Sequence, residues 1–268
     1  MNRFTDRRAL ITGAGSGIGQ ATALRLLAEG ATVVAADVAR SGLDETTARA
    51  AAAGHADRLS TVLVNIADEE SVATAIAPAI AALGGLEVLV NAAGILRSSH
   101  TGQTTLEQWN TVIGVNLTGT FLMTRQALPA LLACGRGVIV NFSSTSATFA
   151  HPYMAAYAAS KGGVQSFTHA IALEYAKQGL RAVSVAPGSI SSGMTDGSGA
   201  SGQNRGPGIP QDADMSLFAK LSPALAPAGS QYGFAGPDAI AGVVAMLASE
   251  DGSFITGTEV RVDGGTHM

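Results

Sequence analysis

Residues 8–30 set an apolar run, "RALIT" (8–12), against the glycine stretch "TGAGSGIG" (12–19) and then a helical run, "QATALRLLAEG" (20–30). Four of the eight residues in the middle stretch are glycine, a density that a packed core does not call for. Ala21, Leu24, Leu27 and Ala28 share one side of the run that follows, the spacing of an amphipathic helix. A strand that turns sharply through glycines into a helix opens a parallel α/β unit. Unpaired N–H groups at the helix start then face the turn and favour an anion such as a pyrophosphate.

The same alternation continues along the chain. Strand-like runs at 31–37, 60–65, 86–91, 137–144, 181–188 and 257–265 are separated by helical patterns at 43–53, 69–82, 105–133, 154–177 and 237–249. Strands that alternate with helices make a parallel sheet covered on both faces. Strands of that kind are apolar throughout. The expectation is one doubly wound domain over 1–268, with seven parallel strands. A stretch rich in Gly, Ser and Pro, 191–213, has no periodicity. Long loops of this type inside compact domains serve as lids, and a substrate lid is expected at about 191–231.

Composition narrows the function classes. Hydrophobic residues make up 47% of the 268 residues and charged residues 13%, with a net charge of −4. That favours a large core, and it argues against nucleic acid or an anionic membrane as the main partner. The first fifteen residues hold no uncharged apolar run of signal-peptide length. The apolar region at 72–96 is broken by Pro78, Gly84, Gly85, Glu87 and Asn91. Cys134 is the single cysteine, so no intrachain disulfide is available and a cysteine-based metal site is not expected. A reducing, cytoplasmic setting suits it.

Three residue sets carry chemistry. Gly13 allows the sharp turn, and Gly17 and Gly19 allow close approach of backbone, helix and ligand. Asp37 ends the second strand 18 residues after Gly19, where a carboxylate can accept from both adenosine ribose hydroxyls and repel a 2′-phosphate. This favours NAD over NADP, although Arg40 stands near enough to receive such a phosphate. The alternative is that Asp37 caps the next helix. In "YAASK", Tyr157 and Lys161 are four residues apart and share a helix face. A nearby ammonium favours phenolate and lowers a tyrosine pKa from its usual value of about 10.

These motifs together resemble the classical short-chain dehydrogenases/reductases over essentially the whole chain. "TGAGSGIG" resembles the cofactor loop, "NAAG" (91–94) the fourth-strand motif, and Asn116 in "VNLTG" the active-site asparagine. Ser144, thirteen residues before Tyr157, stands where the family has its serine; "PGSIS" (187–191) resembles the nicotinamide loop and "VDGG" (262–265) the usual C-terminal ending. Ala92 stands where asparagine is more usual, Asn65 where aspartate is, and Ser192 where threonine is.

The resemblance implies an oxidoreductase interconverting a secondary alcohol and a ketone with NAD. Tyr157 would be the general acid/base and Ser144 would hold the substrate oxygen. Lys161 would lower the tyrosine pKa and bind the nicotinamide ribose, and Asn116 would hold a water of a proton relay. The cofactor set it implies is Gly13, Ser16, Gly17, Ile18, Gly19, Asp37, Asn65, Ile66, Asn91, Ala92 and Gly94. Tyr157, Lys161, Pro187, Gly188, Ile190 and Ser192 complete that set. Leu96, Ser146, His151, Tyr153, Met154 and Met194 are candidates for the substrate side, with no metal. Adjacent strand residues face opposite ways, so Ser143 is expected within the sheet. Trp109 is read as packing. An NADPH-dependent carbonyl reductase and a dinucleotide-binding redox sensor are the alternatives. The resemblance also implies a homodimer or homotetramer built through the helices near 106–133 and 154–176 and through the C-terminal segment.

Overall fold

The computed structural model describes residues 2–196, 207–219, 221–225, 227, 230 and 233–268. The lid expected at about 191–231 therefore falls partly outside the described residues. Seven strands form one parallel sheet in the order β3-β2-β1-β4-β5-β6-β7. They are β1 (Arg8–Thr12), β2 (Thr32–Asp37), β3 (Leu59–Leu63), β4 (Val88–Asn91), β5 (Val138–Phe142), β6 (Arg181–Pro187) and β7 (Glu259–Val262). The helices are α1 (Gly17–Ala28), α2 (Arg40–Ala52), α3 (Glu69–Leu83), α4 (Leu106–Ile113), α5 (Gly119–Ala133), α6 (Ala155–Tyr175), α7 (Gly193–Asp196) and α8 (Pro237–Ala248).

Alternation along the strands feeds two cores. Ala9, Ile11, Val33, Val90, Val140 and Val185 point to the side of Leu26 and Leu27 of α1 and Ile240 and Val244 of α8. Leu10, Val34, Leu89 and Ile139 point to the other, where Val72 and Ile76 of α3, Met123 and Leu131 of α5 and Ile171 of α6 pack. The central strands are covered on both faces, which is why their middles are apolar, while the edge strands β3 and β7 are more exposed and more polar. The chain runs outward from β1 to β3, then returns to β4 on the far side of β1. Loops leaving β1 and β4 diverge at that reversal and leave a crevice at the carboxyl ends of the strands.

The helix expected over 105–133 is in fact interrupted. Between α4 and α5, residues Gly114–Thr118 form one wide turn of π type. The extra residue turns Asn116 into the protein, where it is fully buried. Trp109, expected as packing, lies 38% exposed on α4. Among the described residues no helix is long and apolar enough to cross a membrane.

Candidate active site

The glycines of the first turn answer mainly to the protein's own backbone. Gly13 has a left-handed φ of +66°, and a Cβ there would stand 2.8 Å from Ala93 Cα. A Cβ on Gly19 would collide with the Gly13 carbonyl oxygen, and one on Gly15 would lie 2.9 Å from Asp37 Oδ2. The close approach at Gly19 is of helix against turn, and the same glycine borders the cavity above it. Gly17 differs: its φ is +53°, and its Cβ would meet only Ser192 Cβ at 3.4 Å. Ser16 precedes α1 in an extended conformation without a side-chain cap, so no side chain occupies the N–H groups at the helix start.

A cavity of about 140 Å³ opens over this turn. Gly13, Ser16, Gly17, Ile18, Gly19 and Asp37 line one end of it, and Asn65, Ile66, Ala92, Gly94, Ser192 and Met194 line the rest. Val38 and Val115 also line it. Sequence reasoning passed them over because valine carries no polar signal. Asp37 accepts from Gly15 N through Oδ2 and from Ala39 N through Oδ1, both at 2.9 Å. A carboxylate has about four acceptor positions, so it ties the turn to the start of α2 and keeps capacity for ribose hydroxyls. Asn65 Oδ1 accepts from Ala67 N at 3.1 Å, which leaves a second lone pair toward the cavity.

Six residues of the expected cofactor set lie off the cavity lining: Tyr157 and Lys161, which belong to the catalytic group below, and four others. Asn91 is buried and donates from Nδ2 to Thr124 Oγ1 at 3.1 Å and Asn141 Oδ1 at 2.9 Å. Pro187 pairs with Val262. Gly188 packs against Asp263, where its Cβ would come within 2.7 Å of that residue's Cβ. Ile190 is buried and bridges to Ala235. All four hold the strand ends that carry the lining residues.

The polar catalytic candidates converge behind Gly94. A Cβ at Gly94 would stand 3.2 Å from Asn116 Oδ1 and 3.5 Å from Lys161 Nζ. Ser143 turns into the sheet and donates to the Val185 carbonyl at 3.2 Å and to the Glu259 carboxylate of β7. Ser144 faces the other way, accepts from Ser146 N at 3.2 Å, and brings its hydroxyl to the Tyr157 phenol, whose anion it favours. Lys161 Nζ donates to the Phe142 carbonyl at 2.8 Å and sits 5.7 Å from the centre of the Tyr157 ring. Asn116 accepts from Ile95 N at 2.8 Å and donates to Ile95 O at 2.9 Å and Ser160 Oγ at 3.0 Å.

Electrostatics correct one expectation. Burial pushes the Tyr157 phenol above its ordinary range, and the Ser144 hydroxyl pulls it back only in part. Burial also brings Lys161 down to about 8. Loss of water outweighs the stabilisation of the phenolate, which favours the protonated phenol.

The sequence profile described as short chain dehydrogenase matches residues 7–202. The chain belongs to the short-chain dehydrogenase/reductase family. The cis-4-hydroxycyclohexanecarboxylate dehydrogenase of Sinomonas cyclohexanicum is 38% identical over 98% of this chain and 97% of its own. The 3-oxoacyl-(acyl-carrier-protein) reductase of Thermotoga maritima is 34% identical over 98% of both chains. A 3-ketoacyl-(acyl-carrier-protein) reductase from Brucella melitensis, solved complexed with NADH, superposes with a TM-score of 0.82. It is 29% identical, with 98% of this chain and 99% of that one covered. Residues of this short-chain dehydrogenase/reductase fit a dinucleotide in the cavity: an uncapped helix start, open space at Gly17 and spare acceptors on Asp37.

The substrate-side candidates of this short-chain dehydrogenase/reductase divide into two groups. Leu96, Met154 and Met194 pack with Ile95, Val112 and Ala156 around Tyr157. Ser146 is buried beside them, and its hydroxyl has no partner among the described residues. His151 and Tyr153 belong instead to aromatic contacts at the rim. His151 Nε2 lies 3.3 Å from Thr145 Oγ1, and its ring is 5.5 Å from that of His267. Tyr153 meets the rings of His100 and Phe218. Neither partner was legible beforehand, because each comes from a distant, aperiodic segment.

Proposed function

We propose that the protein interconverts a secondary alcohol and a ketone with NAD, using Tyr157 as the general acid/base. One observation carries the reading: Ser144 and Lys161 flank the Tyr157 phenol, and Lys161 Nζ stands beside Gly94, which lines the dinucleotide cavity. Bound there, the nicotinamide supplies the hydride chemistry. In the reducing direction the neutral Tyr157 phenol gives its proton to the carbonyl oxygen, which Ser144 Oγ holds in place. In the oxidising direction the phenolate takes the hydroxyl proton. Protonated Lys161, one helical turn away, steadies that phenolate. The side chain of Asn116 is committed to Ile95 and Ser160, so a relay water would rest on its carbonyl, which already accepts from Thr120 Oγ1 at 2.8 Å.

Asp37 supports NAD over NADP, since its carboxylate edges the cavity beside Val38 and Ala39. The relatives named above act, by their names, on a ring alcohol and on a 3-oxoacyl group. Both are secondary alcohol and ketone chemistry. Self-association through α4, α5 and α6 is part of the same proposal, because Leu106, Phe121 and Leu173 stand exposed on those helices. Light scattering on the eluted protein tests it.

Tyr157→Phe tests the mechanism. Losing a general acid/base lowers turnover by about 10²- to 10⁴-fold. NADH affinity, followed by fluorescence titration, stays within about twofold, because the phenol lies off the cavity lining. A Tyr157→Phe enzyme with undiminished turnover would overturn the assignment. Binding of NADH without turnover of any alcohol or ketone would favour the redox-sensor alternative.

A further inference from the structure

We infer that Tyr153 is a specificity-determining residue: it ties segment 207–218 to the start of α6 and so limits the size of substrate that reaches Tyr157. The inference rests on the reading of Tyr157 given above. Among the described residues, only Tyr153 and Asp6 are non-glycine residues with positive φ, and Tyr153 has φ +64°. A bulky side chain in the left-handed region costs free energy and persists only where its surroundings hold it there. Here the surroundings come from two segments. The Tyr153 hydroxyl accepts from Asp214 N at 2.8 Å. Its ring lies 6.0 Å from that of Phe218 at an interplanar angle of 24°. On the other side the His100 ring meets it edge-on at 5.0 Å. The Tyr153 carbonyl accepts from Ser99 N at 2.8 Å.

His100 completes the junction, because its Nε2 lies 2.9 Å from Asp212 Oδ1 in the same segment that Tyr153 holds. Ser98 N donates to the Pro207 carbonyl at 2.6 Å. Segment 207–218 is thus fastened at three points to the loops after β4 and β5. The next residue after Tyr153 is Met154, which packs in the apolar cluster of Leu96, Met194 and Tyr157. Backbone strain and a lid contact therefore meet one residue away from the apolar wall around the phenol. A space filler would need neither the left-handed backbone nor the hydroxyl bond. The roof that results favours compact, single-ring or short-chain secondary alcohols over fused-ring ones.

Two variants test this. Tyr153→Phe keeps the ring and removes the bond to Asp214 N. Hydrogen exchange across 207–218 should quicken about three- to tenfold, the effect of losing one such bond. KM for a compact alcohol should rise by a similar factor, with kcat less affected and NADH affinity unchanged. Tyr153→Gly relieves the strained backbone and removes the roof. The ratio of kcat/KM for a fused-ring alcohol to that for cyclohexanol should rise about tenfold or more. Unchanged exchange and KM in the first variant, or an unchanged size ratio in the second, would overturn the inference. So would an equal loss of kcat for both alcohols with no shift in KM. Failure of the wild type to oxidise any secondary alcohol would instead remove the proposed function, and the exchange measurement would still decide whether the tether exists.

Discussion

The two halves of the cleft are made of different material. The dinucleotide half is built around backbone: the glycine turn from β1 to α1 meets the ends of β2 and β4, and glycines and alanines leave much of its main chain bare. The half proposed for substrate is side chain: Leu96, Met154, Met194 and Tyr157 pack in one cluster, and Tyr153, next to Met154 in the chain, meets the rings of Phe218 and His100. A wall made of backbone cannot give when an atom is added, because main chain moves only with the strand or helix that carries it. A wall made of side chains can repack, at the cost of changing what fits.

Adding one methyl group on each side should expose that contrast most strongly. Gly19→Ala places a carbon against the Gly13 carbonyl oxygen, inside the turn itself. The turn must open, with a stability loss of about 1–3 kcal/mol and loss of measurable NADH binding at micromolar protein. Gly162→Ala lies on α6, beside Lys161, where the nearest atom to the new carbon is Ala147 O at 4.0 Å. There the helix gains by the change, and stability should rise by about 0.5–1 kcal/mol. Urea melts of both variants check the pair. Equal losses at the two positions would break the distinction between the halves.

A smaller effect comes from the one side chain that the dinucleotide half uses for selection. Replacing Asp37 with Ser removes a charge from the cavity and weakens the bonds to Gly15 N and Ala39 N. Charged hydrogen bonds of this kind are worth about 1.5–3 kcal/mol, so kcat/KM for NAD relative to NADP should fall about tenfold or more. Arg40, at the exposed first turn of α2, is the cation that would gain from the change. Kinetics with both cofactors measure it. An unmoved ratio would mean that Asp37 only braces the turn, which is its capping role.

The same contrast explains what could be read from the chain. Seven strands and their alternation with helices were legible, because each strand's apolar character and each helix's spacing are local properties. Strand alternation let only one of Ser143 and Ser144 face the cleft, and the family spacing to Tyr157 selected Ser144; the structure turns Ser143 into the sheet. The Glu259 that holds Ser143 could not be foreseen, since it arrives from β7 at the other end of the chain. Nor could the wide turn at Gly114–Thr118: one extra residue in a turn leaves the apolar spacing on either side intact. Glycine density showed where backbone comes close, but not to what. At Gly13 and Gly19 the neighbour is protein, whereas at Gly17 it is the open cavity. The sign of the pKa change at Tyr157 depended on burial, which a four-residue spacing does not report.

The smallest effect belongs to the rim of the substrate half and is a matter of pH. Burial, with a further contribution from His267, lowers His151 to about 4. The unfolded chain takes up a proton there near pH 6.5, while the fold resists it until about pH 4. Between those values the unfolded state binds more protons than the native one, so stability falls as the solution is acidified from 6.5 toward 4. His151 is only partly buried, and after solvent screening the loss should come to no more than about 1–2 kcal/mol. His151→Asn removes the titrating ring and should flatten the decline over that window, while leaving stability at pH 7.5 nearly as it was. If His151→Asn left the acid limb of the stability curve unaltered, the destabilisation would have to arise elsewhere, and the rim would be no softer than the glycine turn.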